Sequence, residues 1–313
     1  MKEGEFSLTA LISAFGRAYH SKFDTPKIFD DYMAEKFISQ QEFKDIKENM
    51  VKGIQFFSKN IAEKYKGNTE ELLKWITQVQ LSPTPLARAA YCEEVLLHEV
   101  KLGAKQYVIL GAGLDTFSYR HPEFENSLEI FEIDYPTTQQ FKQNRLKEVE
   151  LDIPNNLHFT PMDFTKTFTY NDLINEGFTK QKTFISLLGV SYYLTKTELS
   201  SLLEHLFSEI LEGSSIVFDY ADEKLFEEKG VSGRVENMVK MAAASGEPMK
   251  SCYSYSEIEK TVEKSGLFIY EHLTPADIND RYFKNRDDYL SAFETIHYMH
   301  VVKKQTVVEH NIN

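Results

Sequence analysis

Residues 107–120 read YVILGAGLDTFSYR, and this stretch gives the clearest indication of the fold. Four apolar or aromatic residues predict a buried strand, and Gly111 and Gly113 would permit a tight turn and a close approach of a ligand to the backbone. A Gly-x-Gly pair also fits an ordinary turn between a strand and a helix. In an open α/β sheet, ligands lie beyond the carboxyl ends of the strands, so we expect a binding site at this loop.

Beyond residue 105, apolar runs of strand length alternate with helical stretches, which predicts an α/β fold with a mostly parallel sheet. The runs occupy residues 106–112, 128–134, 157–164, 183–190 and 214–220. The clearest helix precedes the last run, where Thr195 and Glu198 form a predicted capping box. Its apolar stripe consists of Leu199, Leu202, Leu203, Leu206, Ile210 and Leu211.

Toward the C-terminus we predict two more strands, at 266–274 and 297–305. The one helical pattern between these two strands is around 286–295, so the two strands could pair in an antiparallel arrangement at the edge of the sheet. The segment 221–250 is prone to form helix and contains Gly and Met residues. It is interpreted either as a lid over the site or as a plain surface excursion.

Before residue 105 the pattern is helical and nearly free of strand signals. Helical spacing predicts helices over residues 7–20, 26–39, 42–65, 69–80 and 84–101. We therefore predict an N-terminal helical extension, 1–104, packing on a Rossmann-like core, 105–313.

Composition excludes several classes of function. A net charge of -13 argues against a protein that binds nucleic acid, because such binding depends on clustered Lys and Arg. The start of the chain lacks a secretory pattern, and no run reaches the length of a membrane-spanning helix, so we expect a cytoplasmic protein without a membrane partner. Cys92 and Cys252 have no framework spacing, which suits a reducing compartment and predicts no metal site.

Two classes of cofactor compete for the loop after the first strand. A dinucleotide site favours a small residue three positions after the second glycine, where this chain has Thr116. Asp115 would place a negative charge at the helix start, where it would repel a pyrophosphate. S-adenosylmethionine carries a positive sulfonium and a positive ammonium instead, so Asp115 favours that cofactor.

Three further positions fit an adenosine cofactor. Asp134, about twenty residues beyond the glycines, can accept hydrogen bonds from ribose hydroxyls, and we favour it over Glu132 because it lies nearer the strand end. Asp163 could accept from the adenine amine while Phe164 offers an apolar contact, although Asp also commonly caps helices. Arg88 could pair with the methionine carboxylate, or could form an ordinary surface ion pair.

Motifs in a characteristic order cover most of the chain: TALISAFGRAYHSKFDTPKIFDDYMA, PLARAAYCEEVL, QYVILGAGLDTFSYR, FEIDYPTTQQFKQ, FTPMDF and ISLLGVSYYLTKTELSSLL. Together they resemble the leucine carboxyl methyltransferase family of class I S-adenosylmethionine-dependent methyltransferases, in the branch similar to the polyketide O-methyltransferase of tetracenomycin synthesis. The resemblance implies a seven-stranded Rossmann-like sheet with added N-terminal helices and a lid. The cofactor-binding positions we predict are Arg88, Gly111, Gly113, Asp115, Asp134, Asp163 and Phe164.

Two positions qualify the resemblance. Arg17 matches the family's basic position in the N-terminal helix, with Lys22 close by as a competing assignment. Where the family usually has a glutamate before Gly-Val in the fourth strand, this chain has Leu188. A carboxylate expected near the methionine moiety or the acceptor is therefore missing.

The resulting hypothesis is methyl transfer from S-adenosylmethionine to a carboxylate or hydroxyl oxygen of a small molecule or peptide, with S-adenosylhomocysteine as product. No residue is marked as a catalytic base. Tyr192 and Tyr193 could line the acceptor pocket or simply pack in the core. His20, His121 and His158 are the histidines expected nearest the site, and none is assigned a catalytic role.

Two alternatives remain open from the sequence alone. A nicotinamide-dependent oxidoreductase would have to tolerate Asp115 beside a pyrophosphate. A catalytically inactive protein that binds S-adenosylmethionine for regulation would fit the replacement at Leu188. The oligomeric state is not predicted.

Overall fold

The computed structural model describes residues 6–164 and 170–304. The outer limits of the two predicted units, 1 and 313, and the end of the strand predicted over 297–305 therefore lie outside the described residues. The division into an extension and a core stays a proposal.

The described residues contain one seven-stranded sheet with the order β3-β2-β1-β4-β5-β7-β6. Its strands are β1 (Gln106–Leu110), β2 (Glu129–Asp134), β3 (Leu157–Pro161), β4 (Thr183–Leu187), β5 (Ser215–Ala221), β6 (Leu267–Leu273) and β7 (Ile296–Lys303). The first five strands are parallel, and β7 runs antiparallel between β5 and β6. The Rossmann-like α/β prediction is confirmed, including the antiparallel edge that the sequence left open.

Helices cover the sheet and form the part of the chain before β1. Their bounds are α1 (Leu8–Phe23), α2 (Gln40–Phe57), α3 (Lys59–Lys64), α4 (Thr69–Ile76), α5 (Pro83–Lys101), α6 (Phe117–Arg120), α7 (Pro136–Glu148), α8 (Tyr170–Asn175), α9 (Lys196–Glu209), α10 (Arg234–Ala244), α11 (Tyr255–Lys264) and α12 (Pro275–Ile278). The helix α4 continues directly into a π-helical turn, Thr77–Leu81.

Two helix predictions were wrong in extent. Among residues 26–39, all of them described, only Ala34–Phe37 form a short 3₁₀ helix. The N–H of Ala34 is shared between the carboxylate of Asp31, at 3.1 Å, and the backbone carbonyl of Asp31, at 3.2 Å, which makes a tighter turn than the i→i−4 bond of an α-helix. The helix predicted over 42–65 is divided at Ser58, where the backbone is extended, with a φ of -154°.

Alternate residues of the parallel strands pack on opposite faces of the sheet, and each face has its own core. On one face, Tyr107 and Ile109 of β1 pack with the buried apolar side of α5. On the other face, Val108 and Leu110 pack with α9 and α11. Because alternation sends neighbouring side chains to opposite faces, both faces of β1 are apolar, as a covered parallel sheet requires.

The helix α9 begins as predicted. Thr195 accepts the N–H of Glu198, and the Glu198 side chain accepts the N–H of Thr195, which completes the capping box. The predicted stripe is buried, including Ile210 just after the helix, except for Leu211, which is 38% exposed.

No helix forms around 286–295 in the described chain. The guanidinium of Arg234 in α10 instead donates to the backbone carbonyls of Ser291 and Ala292 and to the carboxylate of Glu294. A buried cation thus satisfies backbone acceptors that a helix would otherwise have paired. Within the described ranges, helices that are both long and apolar enough to cross a membrane are absent.

Candidate cofactor and acceptor site

A cavity of about 900 Å³ lies at the carboxyl ends of β1, β2, β3 and β4. The order of the strands reverses between β1 and β4, and ligands of open α/β sheets usually bind at the carboxyl ends of the strands beside such a point. All seven predicted cofactor-binding residues line it, namely Arg88, Gly111, Gly113, Asp115, Asp134, Asp163 and Phe164. The structure therefore brings the predicted residues together around one space.

The loop after β1 is shaped by glycine. Gly111 has a φ of +72°, and a Cβ atom there would lie 2.4 Å from Cγ2 of Val190. The N–H groups of Gly111 and Ala112 both donate to the carbonyl of Ile133, at 2.8 and 3.2 Å. The loop can thus fold tightly over the end of β2 only because residue 111 has no side chain.

Asp134 fastens this loop to the end of β2. Its carboxylate accepts the N–H of Gly113 at 2.5 Å and the N–H of Tyr135 at 2.6 Å. Burial raises the pKa of Asp134 to about 6, although both backbone hydrogen bonds act in the opposite direction. Each oxygen keeps a second lone pair, so the carboxylate can still accept from a ligand hydroxyl in the cavity.

Asp115 also contributes to the local backbone. Its carboxylate accepts the N–H of Phe117 at 2.8 Å, at the start of α6. Its carbonyl accepts from Nζ of Lys142 at 2.7 Å, and Lys142 pairs in turn with the buried Glu132 at 2.5 Å. Glu132 therefore supports the loop through Lys142, while Asp134 lines the cavity, as the sequence favoured.

Arg88 forms a buried ion pair that the sequence did not reveal. Its Nη1 lies 3.1 Å from Oδ2 of Asp219 in β5 and donates to the hydroxyl of Tyr192 at 3.1 Å. The other Asp219 oxygen accepts the N–H of Gly189 at 2.6 Å. Among described residues Nη2 and Nε of Arg88 have no hydrogen-bond partner, so one side of the guanidinium can meet a ligand carboxylate.

Asp219 is the main residue that the sequence interpretation missed. It stands within SSIVFDY, an otherwise apolar run, and is fully buried in β5. A single charge in a buried strand requires a partner, and that signal was present in the sequence.

The N-terminal helix contributes Arg17 to the cavity. Its Nε pairs with Asp31 at 2.8 Å, and its Nη2 donates to the carbonyl of Leu114 at 2.7 Å. Lys22, the competing assignment, is about half exposed and pairs with Glu35 at 2.5 Å. Arg17 is therefore the basic residue of this helix that borders the cavity.

Leu188, Tyr192 and Tyr193 also line the cavity. Burial is the first cause that raises the pKa of each tyrosine well above its ordinary value, so neither hydroxyl is ionised near neutral pH. The hydroxyl of Tyr192 accepts from Arg88, whereas the hydroxyl of Tyr193 has no hydrogen bond to another described residue.

The three histidines expected nearest the site lie elsewhere. His20 is fully buried between Asp24 and the N–H of Ile28. His121 pairs with Glu93 at 3.0 Å, and His158 pairs with Glu129 at 2.7 Å. No histidine lines the cavity in the part of the chain that the structure describes.

Carboxylates outnumber cationic side chains six to four among the described residues that line the cavity. Asp115, Asp134 and Asp163 lie near the strand ends, where their negative charges favour the sulfonium and ammonium of S-adenosylmethionine. Glu247 lines the cavity from the segment after α10, where its carboxylate accepts a hydrogen bond from Thr9. Glu247 was not singled out from the sequence, although it lies in the segment 221–250 that was interpreted as a possible lid.

Comparisons with known proteins agree with this geometry. A model of the leucine carboxyl methyltransferase family matches residues 10–207. YktD of Bacillus subtilis (strain 168), which carries the provisional name of an S-adenosyl-L-methionine-dependent methyltransferase, is 66% identical over 304 residues, or 97% of this chain and 100% of that protein. A similarly named protein of Mycobacterium avium (strain 104) is 27% identical over 159 residues, half of each chain.

The fold has a counterpart among solved structures. The crystal structure of a protein from Thermobifida fusca YX, provisionally named a methyltransferase, matches with a TM-score of 0.53 and 11% identity, covering 97% of both chains. At that identity the likeness shows the fold alone. None of these comparisons supports a nicotinamide-dependent oxidoreductase or an inactive regulatory protein.

Proposed function

The chain belongs to the leucine carboxyl methyltransferase family and is an S-adenosylmethionine-dependent methyltransferase, and from this premise we propose that it methylates an oxygen, most favourably the carboxylate of an apolar small molecule or peptide. S-adenosylmethionine supplies a methyl carbon activated by a sulfonium that leaves as a neutral thioether. The acceptor oxygen provides the electron pair for the new C–O bond.

The described residues fit this cofactor. We assign the ribose hydroxyls to Asp134 and the adenine to Asp163 and Phe164. The free side of the Arg88 guanidinium would take the methionine carboxylate, with Asp219 and Tyr192 holding it in place. Gly111 and Gly113 would let the cofactor approach the backbone, and Asp115 would add negative charge beside the sulfonium and ammonium.

The observation that carries the choice of acceptor is the absence of a histidine from the described cavity wall. The carboxylates of that wall have other partners: Asp31 and Glu93 pair with arginines, Asp115 accepts the N–H of Phe117, Glu247 accepts from Thr9, and Asp134 and Asp163 are assigned to the cofactor. Tyr192 and Tyr193 stay protonated, since burial raises their pKa values, and burial likewise raises the pKa of the Cys92 thiol. A carboxylate is already nucleophilic near neutral pH and requires no base. A phenol acceptor would need a general base to remove its proton.

The remaining wall suits an acceptor with an apolar body. Ile12, Leu81, Met238, Met241 and Phe293 face the cavity from the N-terminal helices, from α10 and from the loop before β7. The flexible Met side chains can adapt to irregular apolar shapes. These contacts align the acceptor and exclude water, which is the main contribution the protein can make to a displacement at carbon.

The acceptor class can be tested with S-adenosylmethionine labelled in its methyl group. We expect label to appear on apolar carboxylic acids or peptide carboxylates as methyl esters, which release methanol on treatment with base. The rate should stay nearly constant from about pH 6.5 to 8.5, where the acceptor is fully ionised. If base does not release the label and the rate of methyl transfer rises with pH, the acceptor is instead a phenol.

A further inference from the structure

Two segments far apart in the sequence cover the cavity. The first turns of α1 contribute Ser7, Thr9 and Ser13, and the chain after α10 contributes Gly246 and Glu247. Both lie outside the strands and loops that hold the predicted cofactor-binding residues.

Glu247 joins these two segments. Its Oε2 accepts from Oγ1 of Thr9 at 2.5 Å and from Oγ of Ser7 at 3.2 Å. Ser7 is also the N-cap of α1, since its Oγ accepts the N–H of Ala10 at 3.2 Å. A carboxylate at the N-terminus of a 16-residue helix gains from the helix dipole as well as from the hydroxyl donors.

These contacts lie over the end of the cavity that holds Asp134. The N–H of Ser7 donates to Oγ1 of Thr138 at 3.2 Å, in the helix that follows Asp134 directly. The negative charge of Glu247 is among the causes that raise the pKa values of Asp134 and Tyr193, so its carboxylate lies near both. Glu247 is thus tied to α1 above the predicted ribose position.

We propose that Glu247, Thr9 and Ser7 form a clasp that holds the segment after α10 against α1 over the adenosine end of the cavity. The clasp must open before the cofactor binds and before the product leaves. Glu247 is a positioning residue in this proposal, which rests on the proposed cofactor site. It gives the segment 221–250, which we keep as a proposed lid, a specific closing contact.

The clasp predicts a distinctive kinetic result. Opening precedes both binding and release, so weakening the clasp should accelerate association and dissociation together and leave the dissociation constant nearly unchanged. A residue that only contacts the cofactor would change the dissociation rate and leave the association rate alone. The two roles can therefore be separated with full-length protein.

The experiment measures S-adenosylhomocysteine association and dissociation rates by stopped flow. We expect both rates to rise about tenfold in Glu247→Ala and in Thr9→Val, as for the loss of a hydrogen bond to a charged group. The double variant should match Glu247→Ala, because both substitutions break the same contact. Glu247→Gln should be intermediate, since an amide oxygen still accepts a hydrogen bond.

Glu236→Gln is the matched control, because Glu236 lies on α10 but pairs with Lys240 outside the cavity. It should leave both rates unchanged. The clasp is contradicted if Glu247→Ala changes neither rate, or if it raises only the dissociation rate. If wild-type protein does not bind S-adenosylhomocysteine at all, the proposed cofactor site fails instead.

Discussion

Two glycines decide how closely the walls of the cavity approach each other. Gly111, after β1, leaves no room for a Cβ atom beside Val190, and Gly189, after β4, leaves none beside the guanidinium of Arg88, where the distance would be 2.5 Å. Both have a φ of +72°, which disfavours other residues. The absence of a side chain at these two positions therefore lets the β1 loop and the Arg88 guanidinium pack closely at the edge of the cavity.

Gly111→Ala separates the effect of close packing from the effect of backbone conformation. Gly213→Ala is the control, because Gly213 has a φ of +77° but no atom within 4 Å of an added Cβ. We expect Gly213→Ala to lower the free energy of unfolding by about 1 kcal/mol. Gly111→Ala should cost about 1–3 kcal/mol more, through overpacking against Val190.

Urea denaturation followed by circular dichroism measures both stabilities, and calorimetry measures binding. S-adenosylhomocysteine should bind more weakly to Gly111→Ala and normally to Gly213→Ala. Equal destabilisation of the two variants would show that the contact with Val190 is unimportant.

At the level of elements, α7 supports the cofactor loop from behind. Lys142 of this helix is 1% exposed and lies between the rings of Phe37 and Phe159, with its ammonium on Glu132 and on the carbonyl of Asp115. Burial raises the pKa of Glu132 to about 7, although Lys142 acts in the opposite direction. The ion pair thus connects α7, β2 and the loop after β1.

Lys142→Met should lower the free energy of unfolding by about 3–5 kcal/mol, because Glu132 would remain buried without a counter-charge. Adding Glu132→Gln should restore part of that loss. The exposed Lys147, on the same helix, provides the control Lys147→Met, which should change stability by less than about 0.5 kcal/mol.

The pH dependence gives a second check on Lys142→Met. Its Glu132 would have a pKa raised in the folded state, so the folded protein binds the proton more tightly than the unfolded chain. The stability deficit should therefore shrink as pH falls toward about 7 and stay constant below it, because wild-type Glu132, with a pKa of about 7, then takes up the same proton. A deficit that does not change with pH would contradict the assignment of the loss to an uncompensated Glu132 charge.

At the scale of the whole molecule, the sheet order places the ends of β1 to β4 around one cavity, and α1, α5 and α10 enclose it. The alternation of apolar runs and helices was sufficient to predict the fold, and the positions at and after strand ends predicted the part of the cavity lining that the β1, β2 and β3 loops contribute. Asp134 and Gly111 could be assigned because short-range rules link a strand end to its loop.

Other features depended on contacts that periodicity does not encode. The segment 26–39 has a helical pattern, but Asp31 bonds to Ala34, Arg17 and Thr116 and prevents a regular helix. The pairing of Asp219 with Arg88 spans 131 positions, and the contacts of Glu247 with Ser7 and Thr9 span about 240. Such long-range partners become visible only when the chain is folded.

The most direct test of the account is calorimetric titration of S-adenosylhomocysteine at several pH values. Wild-type protein should bind with a constant affinity above about pH 7. Below about pH 6 the affinity should fall, toward tenfold per unit, because the ribose hydroxyls require ionised Asp134, whose pKa is about 6.

Asp134→Asn should bind weakly, without this pH dependence, and Asp152→Asn, which replaces an exposed carboxylate outside the cavity, should behave as wild type. Circular dichroism at each pH confirms that all three proteins stay folded. Tight, pH-dependent binding that disappears in Asp134→Asn is the predicted result. No binding by the wild type, or equal binding by Asp134→Asn, would contradict the assignment of this cavity as the cofactor site.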